Sequence, residues 1–200
     1  MKTLKLEGVV VKIDLSNAYD RVNWLYIRML MTHLGLCLDF IRRTTSCLTS
    51  VSFSILINGA ATHFFHAQRG LWQGFPFSPL FFLLVVEGLS RFLKVAIESG
   101  NFGGVQIARD LTISHLLFVD DILIFCDGSR RDTNCLEEGL ELFKRATGML
   151  SNVDNSNLVS NLVSEENLFF MTSKFPFKLG DLGDGLKYLG FHLKPNDYRK

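Results

Sequence analysis

The chain has 200 residues, of which 48% are hydrophobic and 20% charged, and a formal net charge of +1. This composition excludes a disordered chain and suffices for one packed domain. The near-neutral balance excludes a long-range field that would draw in nucleic acid without locally placed cations.

The opening, "MKTLKLEGVVVKIDLS", has no apolar block of signal-peptide length before its first charges, so an intracellular protein, nuclear or cytoplasmic, is expected. Within it, "GVVVKIDL" is a β-branched run that ends in a carboxylate and predicts a buried strand. From "NWLYIRMLMTHLGL" apolar residues recur at helical spacing until Gly35, and a second helix is expected over 38–48. "VSFSILING" and "THFFHAQRG", joined at Asn58 and Gly59, predict a hairpin. "SPLFFLLVVEGLSRFLKVAIESG" predicts a helix with Ser78 as N-cap and Pro79 at its first position. Its apolar core, Leu80 to Val86, stops at Glu87, short of the roughly 18 residues of a membrane span.

"TISHLLF" and "ILIFCDG" predict two strands with Val119, Asp120 and Asp121 at the turn between them. "RRDTNCLEEGLELFKRATG" is an amphipathic helix with Leu136, Leu140 and Phe143 on one face. After Gly148 the signal fades into a polar tract with a tandem "NLVS" at 157–160 and 161–164, and "KYLGFHL" predicts a last strand. The order implies an α+β domain whose antiparallel sheet carries helices on one face. Cys37, Cys47, Cys126 and Cys135 show no C-x-x-C pairing, which favours free thiols over disulfides or zinc. His33, His63, His66, His115 and His192 show no metal-ligand spacing.

Two adjacent aspartates inside "HLLFVDDILIF" need a reason, because carboxylates beside a core repel unless a cation or proton intervenes. Asp14 also ends an apolar strand, and a sheet that sets the two strands side by side gathers Asp14, Asp120 and Asp121. An all-oxygen cluster suits Mg²⁺ or Mn²⁺ and points to metal-dependent phosphoryl transfer. A solvated surface turn is the competing reading.

"VKIDLSNAYDRVNW", "RGLWQGFPFSPLFF", "HLLFVDDILIF" and "KYLGFHL", in this order, resemble successive motifs of the reverse transcriptase domain of plant-type non-LTR (LINE-type) retrotransposons. The resemblance runs from about Val9 to Leu193 and implies a polymerase palm-like (ferredoxin-like) fold with adjoining finger segments. The whole chain, 1–200, is then expected to be a single partial domain, with most of the fingers, the thumb and any endonuclease lying outside it.

What the resemblance implies for single residues is specific. Asp14 and Asp120 match the metal-binding aspartates and Asp121 their auxiliary neighbour, together the catalytic set. Tyr19 matches the bulky gate under the incoming sugar, and Gln73 and Gly74 the segment that meets nucleotide and template, with Arg69 placed for a phosphate. Tyr188, Leu189 and Gly190 match the support of the primer end. Asp20 is expected to contact Arg21 or a helix N-terminus. The implied cofactor is Mg²⁺ or Mn²⁺, and the implied partners are an RNA template, a DNA primer and deoxynucleoside triphosphates.

The sequence departs from the family at several positions. Trp72 stands where relatives carry a basic residue and Phe75 where they carry an aspartate. Leu150 and Asn155 stand in place of lysines, in a region where a lysine assists proton transfer to pyrophosphate. Two classes therefore remain at the level of sequence: an RNA-directed DNA polymerase using two metal ions, and an inactive relic that keeps the palm and its metal cluster. An unrelated metal-dependent nuclease would need a general base near the cluster, and none stands out.

Overall fold

The computed structural model describes residues 8–72, 74–108 and 111–193. In chain order, β1 (Gly8–Ser16) leads through the one-turn helix α1 (Ala18–Arg21) to α2 (Trp24–His33) and α3 (Leu38–Thr49). An exposed ribbon follows: β2 (Ser52–Phe53), β3 (Leu56–Ile57), β4 (Ala60–Ala61) and β5 (Phe65–His66). Then come the long helix α4 (Ser78–Glu98), the strands β6 (Val105–Ala108), β7 (Leu111–Ile113), β8 (His115–Phe118) and β9 (Asp121–Cys126), and α5 (Arg130–Thr147). The remainder is β10 (Leu150–Ser151), β11 (Asn157–Asn161), α6 (Glu165–Lys174), β12 (Lys178–Asp181), a 3-10 turn (Leu182–Asp184), β13 (Leu186–Tyr188) and β14 (Phe191–Leu193).

The main sheet runs β12-β11-β1-β9-β8, with β10 also paired to β1. Its ladders are antiparallel except β11 with β12, which is parallel. Period-two alternation in β1 sends Val9, Val11, Ile13 and Leu15 into the core and leaves Val10, Lys12 and Asp14 on the opposite face. The buried face packs on α4 through Phe82, Val85 and Leu89 and on α5 through Leu136 and Phe143. The helices thus cover one face, as expected. The apolar run of α4 is core, and among the described residues no helix is long and apolar enough to cross a membrane.

One side-chain tie fixes the β8–β9 hairpin to α4. The His115 ring bridges the Ser114 and Ser90 hydroxyls at 2.8 and 2.9 Å, joining β8 to α4, and burial pulls its pKa below the usual imidazole value. All four cysteines are free, and burial pushes the Cys126 thiol up to about 12.

Several expectations need correction. Ser78 is the first helical residue and not the cap; its hydroxyl donates to the Trp72 carbonyl at 2.7 Å, and Phe77 takes the cap position without a side-chain bond. The polar tract after Gly148 forms β10, β11 and α6, with β11 inside the sheet beside β1. The first "NLVS" lies in β11, whereas the second turns at Leu162 (φ 58°) and ends on Ser164, whose hydroxyl accepts from the Asn167 N–H and caps α6. "KYLGFHL" forms a hairpin, β13 and β14, in place of one strand. Asp20 forms no ion pair among the described residues; it is exposed in α1, and its backbone packs under Gly70.

The end of α5 locks the sheet to α1. Gly148 caps α5 at φ 79°, its N–H donates to the Lys144 carbonyl at 2.8 Å, and a Cβ there would lie 2.8 Å from the Arg21 carbonyl oxygen. Left-handed backbone and a backbone clash both oppose a side chain here, so Gly148→Ala is expected to cost about 2 kcal/mol. Urea unfolding measures this, and a loss below about 0.5 kcal/mol would contradict the packing described.

Candidate active site

The β1–β9 register sets Asp14 directly opposite Asp121. Directly opposed side chains on an antiparallel pair lie about 5 Å apart at Cβ, close enough for two carboxylates to repel or to share a cation. Asp120 is the second residue of the two-residue turn between Phe118 and Asp121 and is exposed there. The aspartate pair lies on and beside the turn, as the sequence implied; Asp121 is the first residue of β9, which brings it into register with Asp14. Val119 opens this turn at φ 54°, a left-handed conformation unfavourable for a β-branched residue and costing of order 1–3 kcal/mol.

The acidic ends are held from several sides. The Lys12 ammonium lies 3.4 Å from Asp121 Oδ1. The Asn155 amide donates to Asp14 Oδ2 at 3.2 Å. The Asp14 N–H donates to Ser156 Oγ at 3.2 Å, and the Asp14 carbonyl accepts from the Asn152 N–H at 2.8 Å. The segment Asn152–Ser156 thereby clamps the end of β1. Among the described residues no three His, Cys, Asp or Glu side chains converge as a ready-made metal site. Asp14 and Asp121 present carboxylate oxygen side by side, which suits a hard divalent cation.

Tyr19 projects from α1, stacked on Phe82 of α4 with ring centroids 4.6 Å apart and planes within 9°. Burial, with the Asp120 charge added, pushes its phenol above the ordinary tyrosine value. Gly70 holds the following loop against α1: it sits at φ 97°, with its N–H donating to the Val22 carbonyl at 2.8 Å and its carbonyl accepting from the Trp24 indole at 2.6 Å. Arg69 is exposed and lines a cavity of about 560 Å³ with Asp20, Phe53 and Trp72. Gly74 is exposed at φ 92°, and Gln73 lies outside the described residues.

The β13–β14 hairpin turns through Leu189 (φ 49°) and Gly190 (φ 80°), both exposed at its tip. Leu186 packs on Leu123 and Val159 on the open face of the sheet, with Tyr188 against them. Burial, with the Asp121 charge added, pushes the Tyr188 phenol above the ordinary tyrosine value. Asp14, Asp120, Asp121, Tyr19 and Tyr188 are therefore gathered at one end of the sheet; Arg69 and Gly74 lie on the adjoining loop.

The family profile of reverse transcriptase (RNA-dependent DNA polymerase) matches residues 1–193. The chain belongs to the reverse transcriptase family. It is 28% identical over 166 residues to the Pol polyprotein of the retrotransposable element R2 of Popillia japonica, covering 80% of this chain and 26% of that one. It is 42% identical over 67 residues to an uncharacterized mitochondrial protein of Arabidopsis thaliana, covering 33% of this chain and 55% of the relative. Telomerase from Candida tropicalis superposes with a TM-score of 0.58 at 17% identity, covering 82% of this chain and 32% of the telomerase chain. Telomerase from Candida albicans, in complex with a fragment of telomeric RNA, gives 0.56 at 14% identity, covering 80% and 28%. The palm-like fold implied by the motifs is thus shared with telomerase, and the chain spans about a quarter of the R2 polyprotein and about half of the mitochondrial relative.

The Trp72 and Phe75 rings pack with centroids 6.5 Å apart, extended by Phe77 and Phe81. Lys12 and the Asn152–Ser156 clamp were not singled out from the sequence. The alternation in "VVVKID" carried the signal for Lys12, since a residue two before Asp14 shares its face.

The turn supplies a test of its own. Glycine relieves the strain at Val119, so Val119→Gly is expected to raise stability by about 1 kcal/mol after its unfolded-state entropy cost. A lower midpoint in urea would show that the turn is unstrained.

Proposed function

We propose that the chain is the palm of an RNA-directed DNA polymerase, in which Asp14 and Asp120 hold a divalent cation and Asp121 supports them. The observation that carries this reading is the register of Asp14 with Asp121 beside the Asp120 turn, in a chain of the reverse transcriptase family. Family membership implies dependence on a divalent metal, and Mg²⁺ fits the all-oxygen donor set; Mn²⁺ fits the same donors. Bound there, such ions neutralise the charge that develops on the attacking and leaving oxygens.

The chain's own residues do the positioning. The open face of the sheet receives the primer end, with Tyr188, Leu189 and Gly190 beneath it and the 3′-hydroxyl near Asp14. The incoming deoxynucleoside triphosphate lies over Tyr19, whose ring, locked on Phe82, leaves no room for a 2′-hydroxyl. Arg69 and Gly74 line the approach of its phosphates and of the RNA template base, and Gln73 is assigned the same contact by the family motif alone. The 3′-oxygen bonds to the α-phosphorus, the bond to the β-phosphate oxygen breaks, pyrophosphate leaves, and the hydroxyl proton passes to solvent. Asn155 carries no ammonium for the pyrophosphate, so its part is limited to orienting Asp14.

Residues 8–193 placed into an R2-type polyprotein, in exchange for its matching segment, test this reading. In Mg²⁺ the chimaera is expected to extend a DNA primer on an RNA template, and Asp14→Asn or Asp120→Asn to slow extension at least about a hundredfold. A chimaera as fast with either substitution as without it would overturn the assignment.

A further inference from the structure

Lys12 stands two residues before Asp14 on the same face of β1, and its partner across the ladder is Leu123. Its ammonium reaches Asp121 Oδ1 at 3.4 Å, and therefore does so diagonally, a span that long side chains on neighbouring strands bridge. Both partners are mostly covered, with 16% of the lysine side chain and 22% of the aspartate exposed. On the same face lies the apolar cluster of Leu123, Val159 and Leu186, packed with Val10, Phe125 and Tyr188. The lysine stem rests at the edge of that cluster while the ammonium extends to the acidic end.

Three nearby carboxylates are thus unequal in what they hold. Asp121 has a full positive charge on one oxygen, in a sheltered place where an ion pair is screened less than at the open surface. Among the described residues the Asp14 carboxylate accepts a neutral amide from Asn155 and forms no ion pair, and Asp120 is exposed in its turn with none either. A cation entering this site therefore competes with an ammonium for Asp121 and, among the described residues, with no charged group for the other two.

We propose that Lys12 is a positioning residue that withholds Asp121 from the divalent ion, so that Asp14 and Asp120 supply the carboxylate ligands. This rests on the metal reading given above. Lys12 does so by occupying the Asp121 carboxylate, and its charge also keeps the free site from binding the ion too tightly. The double neutral variant separates this from a role for Asp121 as ligand, because the pair can be removed without changing the net charge.

The test is a Mn²⁺ titration of the 200-residue chain, read from the electron paramagnetic resonance signal of free Mn²⁺, with circular dichroism recording the fold of each variant. Lys12→Met is expected to bind Mn²⁺ about tenfold more tightly, as a nearby positive charge is lost and Asp121 is released. Lys12→Arg is expected to stay within about threefold of the parent chain, since a guanidinium keeps the pair. Lys12→Met with Asp121→Asn is expected to match the parent, while Asp14→Asn loses at least about tenfold. If the double variant falls as far as Asp14→Asn, Asp121 is a ligand and the proposal fails. Unchanged binding in Lys12→Met overturns the role of Lys12 alone, whereas a parent chain that binds no Mn²⁺ overturns the metal reading together with it.

Discussion

The repulsion between carboxylates on neighbouring central strands is the constraint on which the rest of the site depends. An antiparallel ladder with Asp14 opposite Asp121 gains backbone hydrogen bonds and apolar burial on its other face, yet sets two negative charges side by side. The register cannot slip to avoid this, because a shift of one residue would turn Val9, Val11 and Ile13 out of the core. The core therefore enforces the charge cluster, and the surroundings answer it locally with Lys12 on one carboxylate and Asn155 on the other. The strain at Val119 belongs to the same arrangement, since a two-residue turn is what lets Asp120 follow β8 and precede Asp121 without lengthening the hairpin.

Around that cluster, aromatic packing does much of the positioning. Tyr19 is held by Phe82, and the loop that meets Gly74 is held by Trp72, Phe75, Phe77 and Phe81. Such contacts are insensitive to salt. The β13–β14 hairpin covers the apolar half of the open face through Leu186 and Tyr188, so one sheet face carries an acidic end and a dry end.

The parts legible in the sequence were those in which local pattern and tertiary structure agree. β1, α2, α3, α4 and α5 have unbroken periodicity and end on residues that stop them, and the paired aspartates stood out because they interrupt apolar strands. The polar tract hid β11 because only Leu158 and Val159 of its residues are buried; a strand bordered by β1 and β12 draws its stability from those ladders more than from its own side chains. The two copies of "NLVS" adopt different structures because the first meets β1 and the second must turn to reach α6, which no local rule foretells. "YLG" read as strand although Leu189 and Gly190 are both left-handed, a turn marked by its glycine alone. Lys12 was legible as a face but not as a partner, since diagonal contacts need the register.

The central claim, that the fold stores carboxylate repulsion which a divalent cation relieves, is most directly tested by thermal unfolding of the chain and of Asp14→Asn in chelator and in Mg²⁺. Removing one charge is expected to raise the melting temperature in chelator by a few degrees, about 3 °C per kcal/mol for a chain of this size. Mg²⁺ is expected to raise that of the parent chain and leave the variant nearly unchanged. A variant that melts below the parent in chelator and gains as much from Mg²⁺ would contradict the account.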